Sequence, residues 1–126
     1  FILCGVLPDH ATIAERLLPF VEAGFMPAET SLGWQEGARA HYADSQAARD
    51  EAVRSATLGA ATLILAAEAL GLVSGPMVGF DAGGVARSFD LGPDEVPVML
   101  VAIGRAAPGN GPQKPRRPLA EVLEIA

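Results

Sequence analysis

The sequence predicts a mixed domain in which a few strands and helices share one core. Two short, continuously apolar runs, Phe1 to Leu7 and Val96 to Ile103, are bounded by turn residues and read as buried strands. Between them, Ala56 to Val73 carries Glu68 as its one charge and is rich in Ala and Leu, which predicts a long helix. The chain has 126 residues, half of them hydrophobic, enough for one domain and one core spanning residues 1–126.

Taken in order, Phe1 to Leu7 forms the first strand and Pro8-Asp9-His10 turns the chain. Thr12-x-x-Glu15 has the form of a capping box, and Ile13, Leu17, Leu18 and Val21 share one face of a helix that Gly24 stops near Ala23. Phe25 to Trp34 shows no clear period and reads as loop. Glu36 to Asp50 reads as a solvated helical segment, with the long helix starting near Asp44 or Ser45. Because its leucines point in every direction, that helix is expected wholly in the interior, with Gly59 admitting a neighbouring backbone. Gly71, Gly75 and Pro76 are expected to end it in a tight turn that runs to Gly79. Such a turn can present backbone amides to a ligand, or simply connect two elements. Asp81 then caps a short helix with Val85 and Phe89 at i, i+4. Leu91 to Asp94 is a turn, Ala107 to Pro118 is extended by its prolines, and Leu119 to Ile125 is apolar enough to dock on something. Two strands and two or three helices are thin for a self-sufficient sheet, so further strands are expected from another subunit or a preceding segment. The start at Phe1, without an initiator methionine, leads to the same expectation of a piece of a longer protein.

Charge and chemistry narrow the functions. Net charge is −6: residues 1–104 hold thirteen acids and five bases, while 105–118 hold Arg105, Lys114, Arg116 and Arg117 and no acid. An acidic body argues against nucleic acid as partner, and a local basic arm suits a small anion. The long apolar helix nears the length of a membrane span, but Glu68, its glycines and threonines and the lack of basic flanks argue against one. Cys4 is alone, so no internal disulfide can form, which suits a reducing, cytoplasmic setting. His10 and His41 have no ligand spacing around them, so no metal is expected. Neither phosphate-loop motif nor a nucleophile elbow occurs. Glu68 reads as a paired core or interface carboxylate rather than a base.

Three ordered stretches, A-A-E-A-L-G-L-V-S-G-P-M-V-G-F-D, V-P-V-M-L-V-A-I-G-R and K-P-R-R-P-L-A-E-V, resemble the C-terminal part of the FMN-dependent nitroreductase family. The resemblance covers roughly Asp50 to Val122. It implies an α+β fold, a mostly antiparallel sheet flanked by helices, in an intertwined homodimer with FMN at the subunit interface. It places Pro76, Met77, Val78 and Gly79 against the isoalloxazine ring, with the N–H groups of Val78 and Gly79 facing N5. Some relatives have Glu at the position of Val78. It gives Lys114 and Arg116 to the FMN phosphate, and sends the segment from Leu119 across to the partner. Trp34, His41 and Tyr42 fall in the family's variable region over the substrate pocket, as candidate substrate contacts.

The implied function is an NAD(P)H oxidoreductase reducing nitroaromatics, quinones or similar small electron acceptors in a ping-pong sequence, with the hydride chemistry supplied by the flavin. The family's N-terminal Arg-Ser-x-x-Arg and Asn-x-Gln-Pro-Trp stretches are not in this chain, which implies weak FMN binding or none by the chain alone. A different reading remains open: a non-catalytic helical dimerisation module, or an inactive fragment.

Overall fold

The structure, a computed structural model, describes residues 1–109, 111–112 and 114–125. In chain order the elements are β1 (Ile2–Val6), α1 (Ile13–Glu22), α2 (Ala28–His41), α3 (Ser45–Ala69), β2 (Val73–Met77), α4 (Ala82–Ser88) and β3 (Glu95–Gly104), then a short 3₁₀ turn at Leu119–Glu121. The sheet is antiparallel throughout, in the order β1-β3-β2. This is the α+β layering expected, with one more strand than the apolar runs announce.

β3 is central because it is the longest strand and apolar on both faces. Its Val101 is 1% exposed, paired with Pro76 on one side and bonded to Phe1 on the other. Burying a valine this fully contributes about 1.5–3 kcal/mol. Pro97 sits in this strand at no cost to the ladder. The register slips between Leu3 and Cys4, opposite Met99 and Pro97, and β2 pairs only with residues 100–104. A bulge in a strand is where proline is tolerated.

α3 packs on β1 and β3 and less on β2. Its buried positions are Ala52, Ala60 and Ala67, one stripe of small residues that brings helix and sheet close. The close approach expected at Gly59 occurs instead at Gly5. A Cβ there would meet the carbonyl of Ala52, whereas nothing lies within 4 Å of the corresponding point at Gly59. The expectation of a wholly interior helix is also corrected. Leu58 and Leu65 are 67% and 71% exposed, so one stripe is covered and the opposite side is open. α3 is long and apolar enough by composition to cross a membrane, but here its small-residue stripe lies on the sheet.

Three local expectations change. Thr12 does not close a capping box. Its hydroxyl donates to the Asp9 carboxylate (3.0 Å), which also accepts from the Ala11 N–H (3.0 Å). Phe25 to Trp34 is not loop. α2 begins at Ala28, after Pro27 in extended conformation, with Glu29 in its first turn, and it packs on α1. Finally, Gly75 to Gly79 is not a tight turn. Gly71, at φ +69°, ends the helix, and Val73–Met77 then runs as β2.

Both expected aspartate caps are present. The Asp44 side chain accepts from the Gln46 N–H (2.9 Å) at the start of α3, and Asp81 accepts from the Gly84 N–H (2.9 Å) at the start of α4. The described residues of the 107–118 arm form no helix or strand, while Asn110 and Gln113, part of the expected extended run, lie outside the described residues. Leu119, Val122, Leu123 and Ile125 are exposed.

Candidate functional site

The site begins with how β2 meets the sheet edge. Val101 exchanges both backbone hydrogen bonds with Phe1, N–H to O and O from N, each 2.9 Å. Its polar groups therefore point toward β1, and the Pro76–Val101 pair across β3 is a non-hydrogen-bonded one. The nitrogen of Pro76 consequently faces the open edge, where no strand needs its missing N–H. Alternation along β2 turns the polar groups of Ser74, the Pro76 carbonyl and the Val78 N–H to that edge.

Val78 and Gly79 follow β2 directly, and neither N–H donates to a backbone carbonyl among the described residues. Val78 is 71% exposed, and nothing lies within 4 Å of where a Gly79 Cβ would stand. The result is a strand end with two consecutive unpaired donors and open space beside them. A planar ring with acceptors along one edge can dock there.

Next to Met77 lies an apolar hollow of about 570 Å³, lined by the sheet residues Ile2, Leu100 and Val101, by Val85 of α4 and by Phe89, which caps that helix. Sequence reading did not find this hollow. Its one sequence signal is the pair Val85 and Phe89, one turn apart on α4 and its C-terminal cap.

The arm cations are solvent-exposed. Lys114 and Arg116 are exposed, and among the described residues neither meets a carboxylate; the Arg116 guanidinium donates to the Lys114 carbonyl at 3.4 Å. This long contact leaves both charges available to an oxyanion. Arg117 is exposed beside them.

Trp34 and His41 lie on α2 and Tyr42 caps it, with the rings of His41 and Tyr42 edge-on at 4.9 Å. Tyr42 is not brought to the end of β2. Tyr42 borders a 270 Å³ cavity with Pro8, His10, Arg16 and Glu51, beyond the Val6 end of β1. β1 and β2 lie on opposite sides of β3, ~10 Å apart across the sheet. Val6 is opposite Glu95 while Met77 is opposite Leu100, a further ~17 Å along β3.

The charged groups nearest this region, Asp81 and Arg87, are exposed and face each other at 3.8 Å. Burial, with a smaller contribution from Glu95, pushes the Cys4 thiol up, consistent with an inert strand cysteine. Glu68 is exposed and unpaired among the described residues rather than a paired core group. No cluster of His, Cys, Asp and Glu among the described residues could hold a metal ion.

Comparison with known proteins bears on the same segments. The profile of the nitroreductase family matches residues 25–105. Over 95 residues the chain is 39% identical to YodC of Bacillus subtilis, provisionally named an NAD(P)H nitroreductase, covering 75% of this chain and 45% of YodC. The crystal structure of the nitroreductase-like ydfN from Bacillus subtilis superposes with a TM-score of 0.87 at 26% identity, over 99% of this chain and 62% of that one. A nitroreductase-like protein of Exiguobacterium sibiricum, crystallised in complex with FMN, gives a TM-score of 0.75 at 25% identity, over 98% of this chain and 60% of the other. The chain thus spans under half the length of YodC and about three fifths of the two structures. The family profile covers well over half of the chain, from before α2 to just past β3, and the chain belongs to the nitroreductase family.

Proposed function

We propose that this chain is the flavin-edge portion of an FMN-dependent NAD(P)H oxidoreductase acting on nitroaromatics, quinones or similar small acceptors. The observation that carries the reading is the open end of β2, where Val78 and Gly79 offer two unpaired N–H groups within the family-matched segment. FMN, when bound, supplies hydride transfer from NAD(P)H to the acceptor in two half-reactions. The protein's part is position and charge. Pro76 and Met77 wall one side of the ring, the Val78 and Gly79 amides donate to its acceptor edge near N5, and Lys114 and Arg116 hold the phosphate. Donors held at the end of the strand need little reorganisation when charge develops on the ring.

The separation of Tyr42 from β2 supports a pocket assembled between subunits, with Trp34, His41 and Tyr42 meeting the acceptor from the partner of a cytoplasmic homodimer. The exposed arm from Leu119 and the uncovered side of α3 favour the same intertwined arrangement. The uncovered α3 also fits a second reading, a dimerisation module without chemistry. The two readings separate on the arm. Lys114→Ala with Arg116→Ala lowers FMN affinity at least about tenfold by flavin fluorescence titration, since each charge-assisted contact contributes about 1.5–3 kcal/mol. Dimerisation by sedimentation stays intact. FMN affinity equal in the double variant and the parent would remove the phosphate assignment.

A further inference from the structure

The α1–α2 hairpin is fastened to the rest of the molecule in an unusual way. Its two helices pack on each other and hardly touch the sheet or α3. Among the described residues, no hydrogen bond or ion pair joins residues 9–42 to the remainder. The chain itself makes the connection, at two points.

Both points are short. The Leu7 N–H donates to the Asp94 carbonyl (2.8 Å), so Leu7 belongs to the sheet. The Asp9 carboxylate accepts from Ala11 and Thr12 (3.0 Å each), so Asp9 belongs to the hairpin, and Pro8 alone lies between them. On the return, the Tyr42 N–H donates to Ala38 (2.9 Å) and closes α2. Asp44 accepts from Gln46 (2.9 Å) and opens α3, leaving Ala43 alone between the two. Hinges are built from a few such element-terminal residues that absorb the backbone rotation.

The seam beside this pair of joints is suited to movement. It holds the 270 Å³ cavity lined by Asp9, His10, Arg16 and Tyr42 from the hairpin and by Glu51 from α3. The Nδ1 atom of His10 is buried there without a hydrogen-bond partner. A buried polar atom left unpaired is a cost of the closed arrangement that rotation relieves. The closest packing of α1 and α2 is on each other, while Ile13 and Ala38 border the seam cavity.

We propose that α1–α2 moves as one rigid body about the line through Pro8 and Ala43, opening and closing the seam at His10. The motion stands on these contacts alone. Its consequence rests on the proposed function: because the hairpin carries Trp34, His41 and Tyr42, its rotation sets how wide the acceptor pocket opens.

The test is a distance distribution between spin labels on the 126-residue chain with Cys4→Ser, diluted with unlabelled chain so that only distances within one molecule count. One pair, Glu36→Cys with Glu68→Cys, reads hairpin to body; another, Glu22→Cys with Glu36→Cys, reads the hairpin alone. The hairpin-to-body distribution is expected to be at least about twice as wide as the internal one. Pro8→Gly with Ala43→Gly widens it further and leaves the internal pair unchanged. A hairpin-to-body distribution as narrow as the internal one overturns the hinge. So does equal broadening of both pairs, which would mean that the hairpin melts rather than turns.

Discussion

Two prolines in the sheet show how much a single residue's orientation decides. Pro76 and Pro97 each stand in a ladder and neither removes a hydrogen bond that the sheet would otherwise make. Pro76 turns its nitrogen to the open edge, and Pro97 lies at a bulge beyond the reach of β2. Asp9 is the titratable counterpart of this local economy. The Thr12 hydroxyl, then the Ala11 N–H, hold its carboxyl below the usual range. A carboxyl depressed in the folded chain contributes stability above its unfolded pKa, and that contribution is lost as pH falls through the depressed value. Thr12→Ala is therefore expected to move the Asp9 midpoint up toward the ordinary range, so that the contribution is smaller and its loss is complete at higher pH. A carboxyl-carbon NMR titration reads this, and an unmoved midpoint would show that the hydroxyl contributes nothing. The sequence shows Thr12 and Glu15 at capping-box spacing, but Asp9 is nearer to the hydroxyl and takes it.

At the scale of elements, legibility followed periodicity. β1, α3 and β3 announce themselves through long apolar runs and clear stops, and α4 through its Asp81 cap. α2 was hidden because its pattern is inverted. Ser31 is 5% exposed and faces α1, while Leu32 and Trp34 are 59% and 58% exposed. A helix whose large apolar residues point outward gives no inward stripe to read. β2 was hidden because Gly75-Pro76 is the usual punctuation of a turn, and only the pairing with β3 shows the proline to be an edge residue. The candidate flavin edge was legible through resemblance alone. Nothing in spacing or composition distinguishes Pro76–Gly79 from a connecting turn.

The contact between β1 and α3 carries its own prediction. Gly5→Ala places a methyl group against the Ala52 carbonyl, backbone against backbone, so neither side can yield by a rotamer change. Urea unfolding is expected to show a loss of about 2–3 kcal/mol, with Gly59→Ala neutral or mildly stabilising as the control. Equal stabilities of the two variants would mean that α3 does not sit on β1 as described.

For the whole molecule, the distribution of open surface is the instructive feature. β1 and β2 both end the sheet, one side of α3 is bare, and the arm from Ala106 to Ile125 leaves its apolar residues in solvent. A chain covering under half of YodC has fewer of its own segments with which to close these surfaces. The flavin reading uses the openings in one consistent way, with ring at the β2 edge, phosphate at the arm, acceptor residues from a partner.

The most direct test of that reading is a nitrogen-15 NMR titration of the labelled chain with FMN up to about 1 mM, a range in which weak binding still shifts resonances. The amides of Val78 and Gly79 are expected to move, and to stay still when Lys114 and Arg116 are both alanine. FMN-induced shifts confined to other parts of the chain, with Val78 and Gly79 unmoved, would contradict the assignment of the β2 end as the flavin edge.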